Sequence, residues 1–273
     1  MTPRLLACLL AAFGLFCQPL RVGAIPEALP GGLKRLTASG HPMQYWISLP
    51  TGWRQGGSWP VVVALEAAEK DYRANAERFV AARGDRPFII VVPYIVTNGN
   101  QGLRDPQIFP YTTATWDTID RVTGCRFDAE GLAQVLADVQ RLFQGRERCY
   151  LTGIDAGTHL LWSYTFQHPE QLAAVAPVAG NYRGRCVTPE IFSTHTARAS
   201  LPIRGFAGSL DPGFGPGGQV YGQYLEAKSL AREHGFLVLS DEVVPGKDHR
   251  PLPAEVLAWF AYLESASIPP RTH

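Results

Sequence analysis

The segment Tyr150-Leu-Thr-Gly-Ile-Asp-Ala-Gly-Thr158 decides how this chain is read. Cys149 to Thr152 is short and mostly apolar and is predicted as a buried strand. From Ala156 a helix is predicted as far as Gln167, ending before Pro169, since a residue preceding proline avoids helical backbone. Between strand and helix stands Gly153-Ile154-Asp155-Ala156-Gly157, the pattern G-x-S-x-G with aspartate in the serine position. The spacing has a physical cause. The central residue sits on a tight, strained turn that projects its side chain at the end of the strand, and the flanking glycines let strand and helix approach closely. The Ala156 N–H points into the same space as a possible oxyanion donor.

Outward from this turn, apolar strands and amphipathic helices alternate. Strands are predicted at Gln44–Leu49, Val61–Leu65, Phe88–Val92, Ala173–Val178, Ile203–Ala207 and Phe236–Val244. Helices are predicted at Tyr72–Arg83, Gln219–Glu233, Pro253–Ser265 and Phe127–Phe143, the last with Asp128 as its N-cap. Alternation at these lengths implies right-handed crossovers and a mostly parallel sheet covered by helices on both faces. Its chemistry then belongs on loops at the carboxyl ends of the strands. Pro- and Gly-rich stretches at 50–60, 97–110 and 211–218 read as loops within one domain.

Chain order tests the other site positions, because nucleophile, acid and histidine follow one another in this arrangement. Asp211 stands just past the end of a predicted strand, and His249 lies in the loop before the final helix. If the three share one site with His249 between the carboxylates of Asp155 and Asp211, its charged form is favoured and its pKa is expected to rise above about 6.5. Asp248 is the competing acid.

The N-terminus reads as a signal peptide, residues 1–24. Arg4 supplies the positive start. Leu5–Cys17 is an apolar run of about a dozen residues, short of the roughly 20 that a membrane span needs. Val22-Gly23-Ala24 resembles a cleavage site, so a single domain of 25–273 is expected, secreted or periplasmic. Export makes disulfides permissible. Of five cysteines, Cys8 and Cys17 would leave with the signal peptide. Cys125 precedes a helix and Cys186 follows a strand, so both belong to the carboxyl face of the sheet. Cys149 starts a strand on the opposite face. A Cys125–Cys186 bridge and a buried free Cys149 are therefore predicted. Net charge is +1 with the two signs mixed along the chain, so no basic stripe suggests nucleic acid. No later segment is apolar enough to span a membrane.

Tyr150 to Gly180, with Gln167-His168-Pro169-Glu170 and then Ala173-Ala-Val-Ala-Pro-Val-Ala-Gly180, resembles the secreted esterases related to polyhydroxybutyrate depolymerases and feruloyl esterases. The likeness extends loosely from Tyr45 to Leu263. It implies an α/β-hydrolase fold, a mostly parallel central sheet without a large cap domain, and a Ser-Asp-His triad that falls on Asp155, Asp211 and His249. Two departures stand out. One is Asp155 itself. The other follows the strand Val62-Val-Ala-Leu65, where those esterases carry His-Gly-x-Gly to shape the oxyanion hole. Here the segment is Glu66-Ala67-Ala68-Glu69, which places carboxylates near a developing negative charge.

Three readings follow. The first is an esterase-like protein that has lost serine catalysis and binds a small molecule, carbohydrate, polyester fragment or partner, with Phe109, Tyr111 and Trp116 as candidate pocket aromatics. The second is a hydrolase that uses Asp155 as nucleophile, as haloalkane dehalogenases and epoxide hydrolases do, with His249 activating water. Ala156 where such dehalogenases hold a tryptophan, and the short excursion between Val178 and Ile203, argue against it. The third is a cation site at Asp155, Asp211, His249 and Glu66. No short metal-ligand motif supports the third reading, and no cofactor motif is present.

Overall fold

The computed structural model describes residues 29–100, 102–215 and 217–266. The expected signal peptide, 1–24, lies outside the described residues. Strands β1 (Leu33–Thr37), β2 (Gln44–Ser48), β3 (Val61–Leu65), β4 (Ile89–Pro93), β5 (Cys149–Ile154), β6 (Leu172–Val178), β7 (Pro202–Ile203), β8 (Phe206–Gly208), β9 (Leu237–Val238) and β10 (Glu242–Val244) form one sheet. The order is β1-β2-β4-β3-β5-β6-β7-β9, with β8 beside β6 and β10 beside β8. β1 and β2 are antiparallel, and the pairs from β4 onward are parallel.

The central strands are buried along their whole length in β3, β4 and β5. That is why β3 and β4 read as continuous runs dominated by Val, Ile and Leu rather than as alternation, while β5 is more mixed in composition. Two strands expected to be continuous are interrupted. Arg204–Gly205 separates β7 from β8, which pair with β6 in the same register, and Leu239–Asp241 separates β9 from β10. Polar residues at both breaks end the ladder, and the sheet edge requires less continuity than its centre.

Among the described residues six α-helices cover the sheet: α1 (Tyr72–Arg83), α2 (Thr113–Val122), α3 (Gly124–Phe143), α4 (Thr158–Gln167), α5 (Gln219–Glu233) and α6 (Pro253–Ala266). α1 packs with α6, while α3 packs with α2 and α4. β1 and α2 were not legible in the sequence. β1 is polar and half-exposed, and α2 lies in a stretch rich in threonine. Trp116 is on α2, where it meets Phe109 and Tyr111 edge-to-face in one aromatic cluster. Phe109 and Trp116 are buried, so these rings act as core rather than as pocket lining.

Asp128 is not an N-cap. α3 begins four residues earlier, at Gly124, and the Asp128 side chain is fully buried. It accepts hydrogen bonds from the Val96 N–H (2.9 Å), the Thr97 N–H (2.8 Å) and the Thr97 hydroxyl (2.6 Å). The Cys125–Cys186 disulfide is present with Cα atoms 5.3 Å apart, inside the limit of about 7 Å for a bridge. Cys149 is free and buried, as expected. Among the described residues no helix is long and apolar enough to cross a membrane.

Candidate functional site

β5 delivers the chain into a single 3-10 turn, Asp155–Gly157, before α4 starts at Thr158. Asp155 has φ 42°, the left-handed region that a non-glycine residue occupies at a cost of roughly 1–3 kcal/mol. The surroundings hold it there. The Thr158 hydroxyl reaches the carbonyl oxygens of Asp155 (2.5 Å) and Asn181 (2.6 Å), and the Asn181 N–H donates to the Asp155 carbonyl at 3.4 Å. A Cβ on residue 157 would lie 2.6 Å from the Glu66 carbonyl oxygen, so glycine there lets the elbow press against the end of β3.

The Asp155 carboxylate turns toward the loop after β6. Its Oδ1 accepts from the Asn181 amide at 3.2 Å. On the other arm, Asp211 is buried behind the histidine, its side chain 1% exposed, and its Oδ2 is 2.8 Å from His249 Nδ1. The Gly213 N–H satisfies the other Asp211 oxygen at 2.9 Å. With Nδ1 committed to Asp211, the second ring nitrogen of His249 is the one left for chemistry. Asp248 pairs with Arg250, and Asp211 is the carboxylate hydrogen-bonded to His249. The loops carrying Asp211 and His249 are stitched together by Ser209 N–H to Val244 O (2.9 Å) and Leu210 N–H to Lys247 O (2.8 Å).

The histidine is thus held by one carboxylate and not by two. His249 makes no hydrogen bond or ion pair with Asp155, so the expected placement between both carboxylates is corrected. The elbow side chain is instead held by Asn181. Asn181 is the residue that sequence reasoning missed, although it directly follows the Ala-Gly pair that closes the quoted strand.

A cavity of about 560 Å³ opens beside His249, lined also by Glu66, Ala67, Ile154 and Arg78. Glu66 is neither a solvated loop residue nor a standing negative charge. It is 3% exposed, and burial, opposed first by the Arg78 guanidinium, pushes its carboxyl up to about 8. At neutral pH it carries its proton, so the expected repulsion of an oxyanion is corrected for that range. Its backbone is fixed by Asn98, whose amide nitrogen donates to the carbonyls of Glu66 (3.0 Å) and Ala67 (2.7 Å). Lys70 ties down the same loop through the Gly99 carbonyl at 2.9 Å. Glu69 lies exposed at the mouth of the cavity. Among the described residues no three His, Cys, Asp or Glu side chains are grouped so as to hold a metal ion, which leaves the cation reading without geometric support.

The raised Glu66 carboxyl has a consequence for stability. In the unfolded chain the group ionises near 4.5, and in the folded protein near 8. Below the first value both states hold the proton. Between the two only the unfolded state gives it up, so stability falls as pH rises through this window and levels off above it. Glu66→Gln removes that slope. The stability gap between natural protein and variant is expected to shift by at least about 1 kcal/mol in favour of the variant from pH 5 to pH 8. Urea unfolding at both pH values measures it, and parallel pH profiles would contradict the protonated state of Glu66.

No family model matches this chain, and no curated protein matches it. Solved structures do. Poly(aspartic acid) hydrolase-1 from Sphingomonas sp. KT-1 aligns with a TM-score of 0.55 at 11% identity, over 86% of this chain and 98% of that one. Siderophore hydrolase EstB from Aspergillus nidulans aligns at 0.53 and 15% identity, over 89% and 98%. Est1E from Butyrivibrio proteoclasticus aligns at 0.50 and 11% identity, over 86% and 99%. At these identities the likeness is one of fold, and a fold hosts many chemistries.

Proposed function

The chain has the α/β-hydrolase fold, and on that premise we propose that it is a secreted, esterase-like protein that has lost serine-type ester hydrolysis and retains its cavity to bind a small molecule. One observation carries the reading. At the elbow the only polar side chain is the Asp155 carboxylate, and it is bonded to Asn181 and uncoupled from His249. An ester hydrolase needs a nucleophile whose proton the histidine removes. A carboxylate has no proton to give, and its attack on an ester yields an anhydride, which is poorly favoured.

The acid–base half of the machinery, Asp211 and His249, is intact, which supports descent from an active enzyme of the polyhydroxybutyrate depolymerase and feruloyl esterase type. The oxyanion half is altered. Ala156 retains its backbone N–H, while the second side is built from Glu66 and Ala67 in place of a glycine pair. The disulfide is compatible with export to an oxidising compartment.

The natural protein is expected to release no p-nitrophenol from p-nitrophenyl acetate or butyrate above the rate of a heat-denatured sample. Asp155→Ser is expected to restore at most weak hydrolysis, because the glycine-rich side of the oxyanion hole is still missing. Robust turnover by the natural protein that disappears in Asp155→Ala would overturn the proposal. Turnover of haloalkanes or epoxides abolished by Asp155→Asn would replace it with an aspartate-nucleophile hydrolase.

A further inference from the structure

The two edges of the sheet are finished differently. At one edge β1 carries Lys34 and Arg35, charges of the kind that discourage a further strand from pairing. The other edge, made by β9 and β10, lacks that guard: on β10 the one charged side chain, Glu242, is spent on Arg204 at 3.4 Å. Among the described residues the large apolar side chains left exposed are Leu210, Leu225, Leu237, Val243 and Tyr262. Leu237 lies on β9, Val243, 61% exposed, on β10, and Tyr262, 67% exposed, on α6. Between β10 and α6 runs an open groove of about 540 Å³, with Ala254, Ala258, Trp259 and Tyr262 along it and Arg204, Glu242 and Glu255 within it. Ala254, Ala258 and Tyr262 recur every four residues, so they share one face of α6, and all three are exposed. A solvent-facing helix face normally carries charge, and this one carries none. Of the two charged residues on α6, Glu264 is bound to Arg146 and Tyr150, and Glu255 is half-buried. The backbone of the edge is open as well. The Glu242 N–H donates to the Gly205 carbonyl at 2.8 Å, and the Val244 carbonyl accepts from the Ser209 N–H at 2.9 Å, so alternation turns the N–H and C=O of Val243 away from β8.

We propose that this edge is where two copies of the chain associate: β10 pairs antiparallel with β10 across a two-fold axis at Val243, and each α6 lays its Ala254-Ala258-Tyr262 face against the other copy. The charges select a second copy as the occupant. The patch sets Arg204 against Glu242 and Glu255, close to balance, so a strongly acidic or basic partner finds no complement in it. Joined to itself it is complementary. With Val243 on the axis, Glu242 lies opposite the partner's Val244, and no like charges stand directly across from one another. A parallel pairing in register would set Glu242 against the partner's Glu242, which is unfavourable. In the two-fold arrangement these glutamates are diagonal neighbours about 7–8 Å apart, with both Arg204 guanidiniums beside them to be shared. The two Val243 residues exchange two hydrogen bonds, and Pro245, which has no N–H, ends the ladder. A contact of this symmetry uses up the free edge and closes at two copies. It also bears on the cavity, because the loop carrying His249 runs from Val244 on β10 to Pro253 on α6, and association holds both of its anchors. The surface is independent of what the cavity binds.

Sedimentation velocity of the natural protein from about 2 to 200 µM tests the proposal, a range that reaches the weak association a short ladder supports. A monomer–dimer equilibrium is expected, with the dimer predominant at the upper end and no larger species. Val243→Lys supplies the guard that β1 has, and Tyr262→Arg places charge on the α6 face. Both residues are exposed, so both variants should keep the fold, checked by thermal melting. Each should weaken dimer formation by at least about tenfold. Thr37→Lys, exposed on the opposite edge, is the control and should associate as the natural protein does. Hydrogen exchange separates strand pairing from helix contact alone: exchange at the Val243 amide should slow about tenfold from dilute to concentrated natural protein. If a variant does not fold, the concentration dependence of the natural protein's sedimentation and of its Val243 amide decides by itself. A natural protein that stays monomeric to the top of the range, a dimer that survives Val243→Lys, or open-ended oligomers would overturn the inference. So would a dimer lost in Thr37→Lys, or a Val243 amide whose exchange ignores concentration.

Discussion

Asp128→Ala is expected to destabilise the protein by about 4 kcal/mol, although residue 128 lies outside the site. The carboxylate accepts from two backbone N–H groups and one hydroxyl, all buried, at Val96 and Thr97. Truncation leaves three donors without an acceptor, at about 1–3 kcal/mol each, reduced where water enters the space. Lys70, itself buried, also loses the opposing charge that most favours its ammonium. The effect reaches the site through a chain of contacts. Val96 and Thr97 carry Asn98, and Asn98 holds the carbonyls of Glu66 and Ala67 at the cavity. The comparison is Asp120→Ala, which breaks only an exposed pair with Arg104 and is expected to cost less than about 1 kcal/mol. Urea midpoints with unchanged m-values measure both. A loss at Asp128 no larger than at Asp120 would remove the buried carboxylate from this account.

Gly157→Ala sets two effects of opposite sign against each other. Residue 157 has φ −61° and ψ −25°, ordinary helical values. Propensity alone therefore favours alanine there by roughly 0.5–1 kcal/mol. The new Cβ, however, would sit 2.6 Å from the Glu66 carbonyl oxygen and 2.9 Å from that of Leu65. Both are backbone atoms of a central strand end and cannot swing aside as a flexible side chain can. Overpacking of this kind costs about 1–3 kcal/mol or more, and here it wins, for an expected net loss of about 2–3 kcal/mol. Gly222→Ala on α5 provides the contrast. A Cβ there meets nothing within 4 Å, so the same substitution should stabilise by up to about 1 kcal/mol. Equal signs at the two glycines, read from thermal melts, would refute the close approach of elbow and strand. The same displacement at 157 moves the Glu66 backbone, so ligand binding in the cavity should weaken along with stability.

The sequence carried the central fold because central strands and helices advertise themselves through periodicity. β3, β4 and β5 are buried on both faces, and the Val- and Ile-rich runs of β3 and β4 have little other use. The disulfide was legible because strand and helix order alone assigns each cysteine to one face of the sheet, which paired Cys125 with Cys186 and left out Cys149. What escaped was locally ambiguous. β1 is a polar edge strand, α2 is threonine-rich, and the two strands at the far edge break where Arg204–Gly205 and Leu239–Asp241 interrupt them.

For the site, the sequence by itself named Asp155, Asp211 and His249 as candidates for the elbow, acid and histidine positions, because a strand-turn-helix with glycines at fixed offsets and a fixed chain order leave few candidates. The orientation of each side chain was decided by tertiary structure alone. Asn181 captures the Asp155 carboxylate from a loop 26 residues away, while Asp211 takes His249 from 38 residues away. The charge of Glu66 was likewise invisible in the sequence. A glutamate in a loop reads as ionised, and only the packing of β3, the elbow and Asn98 around it excludes the water that would keep it so. Protonation depends on solvation, and solvation is a property of the assembled fold rather than of neighbours along the chain.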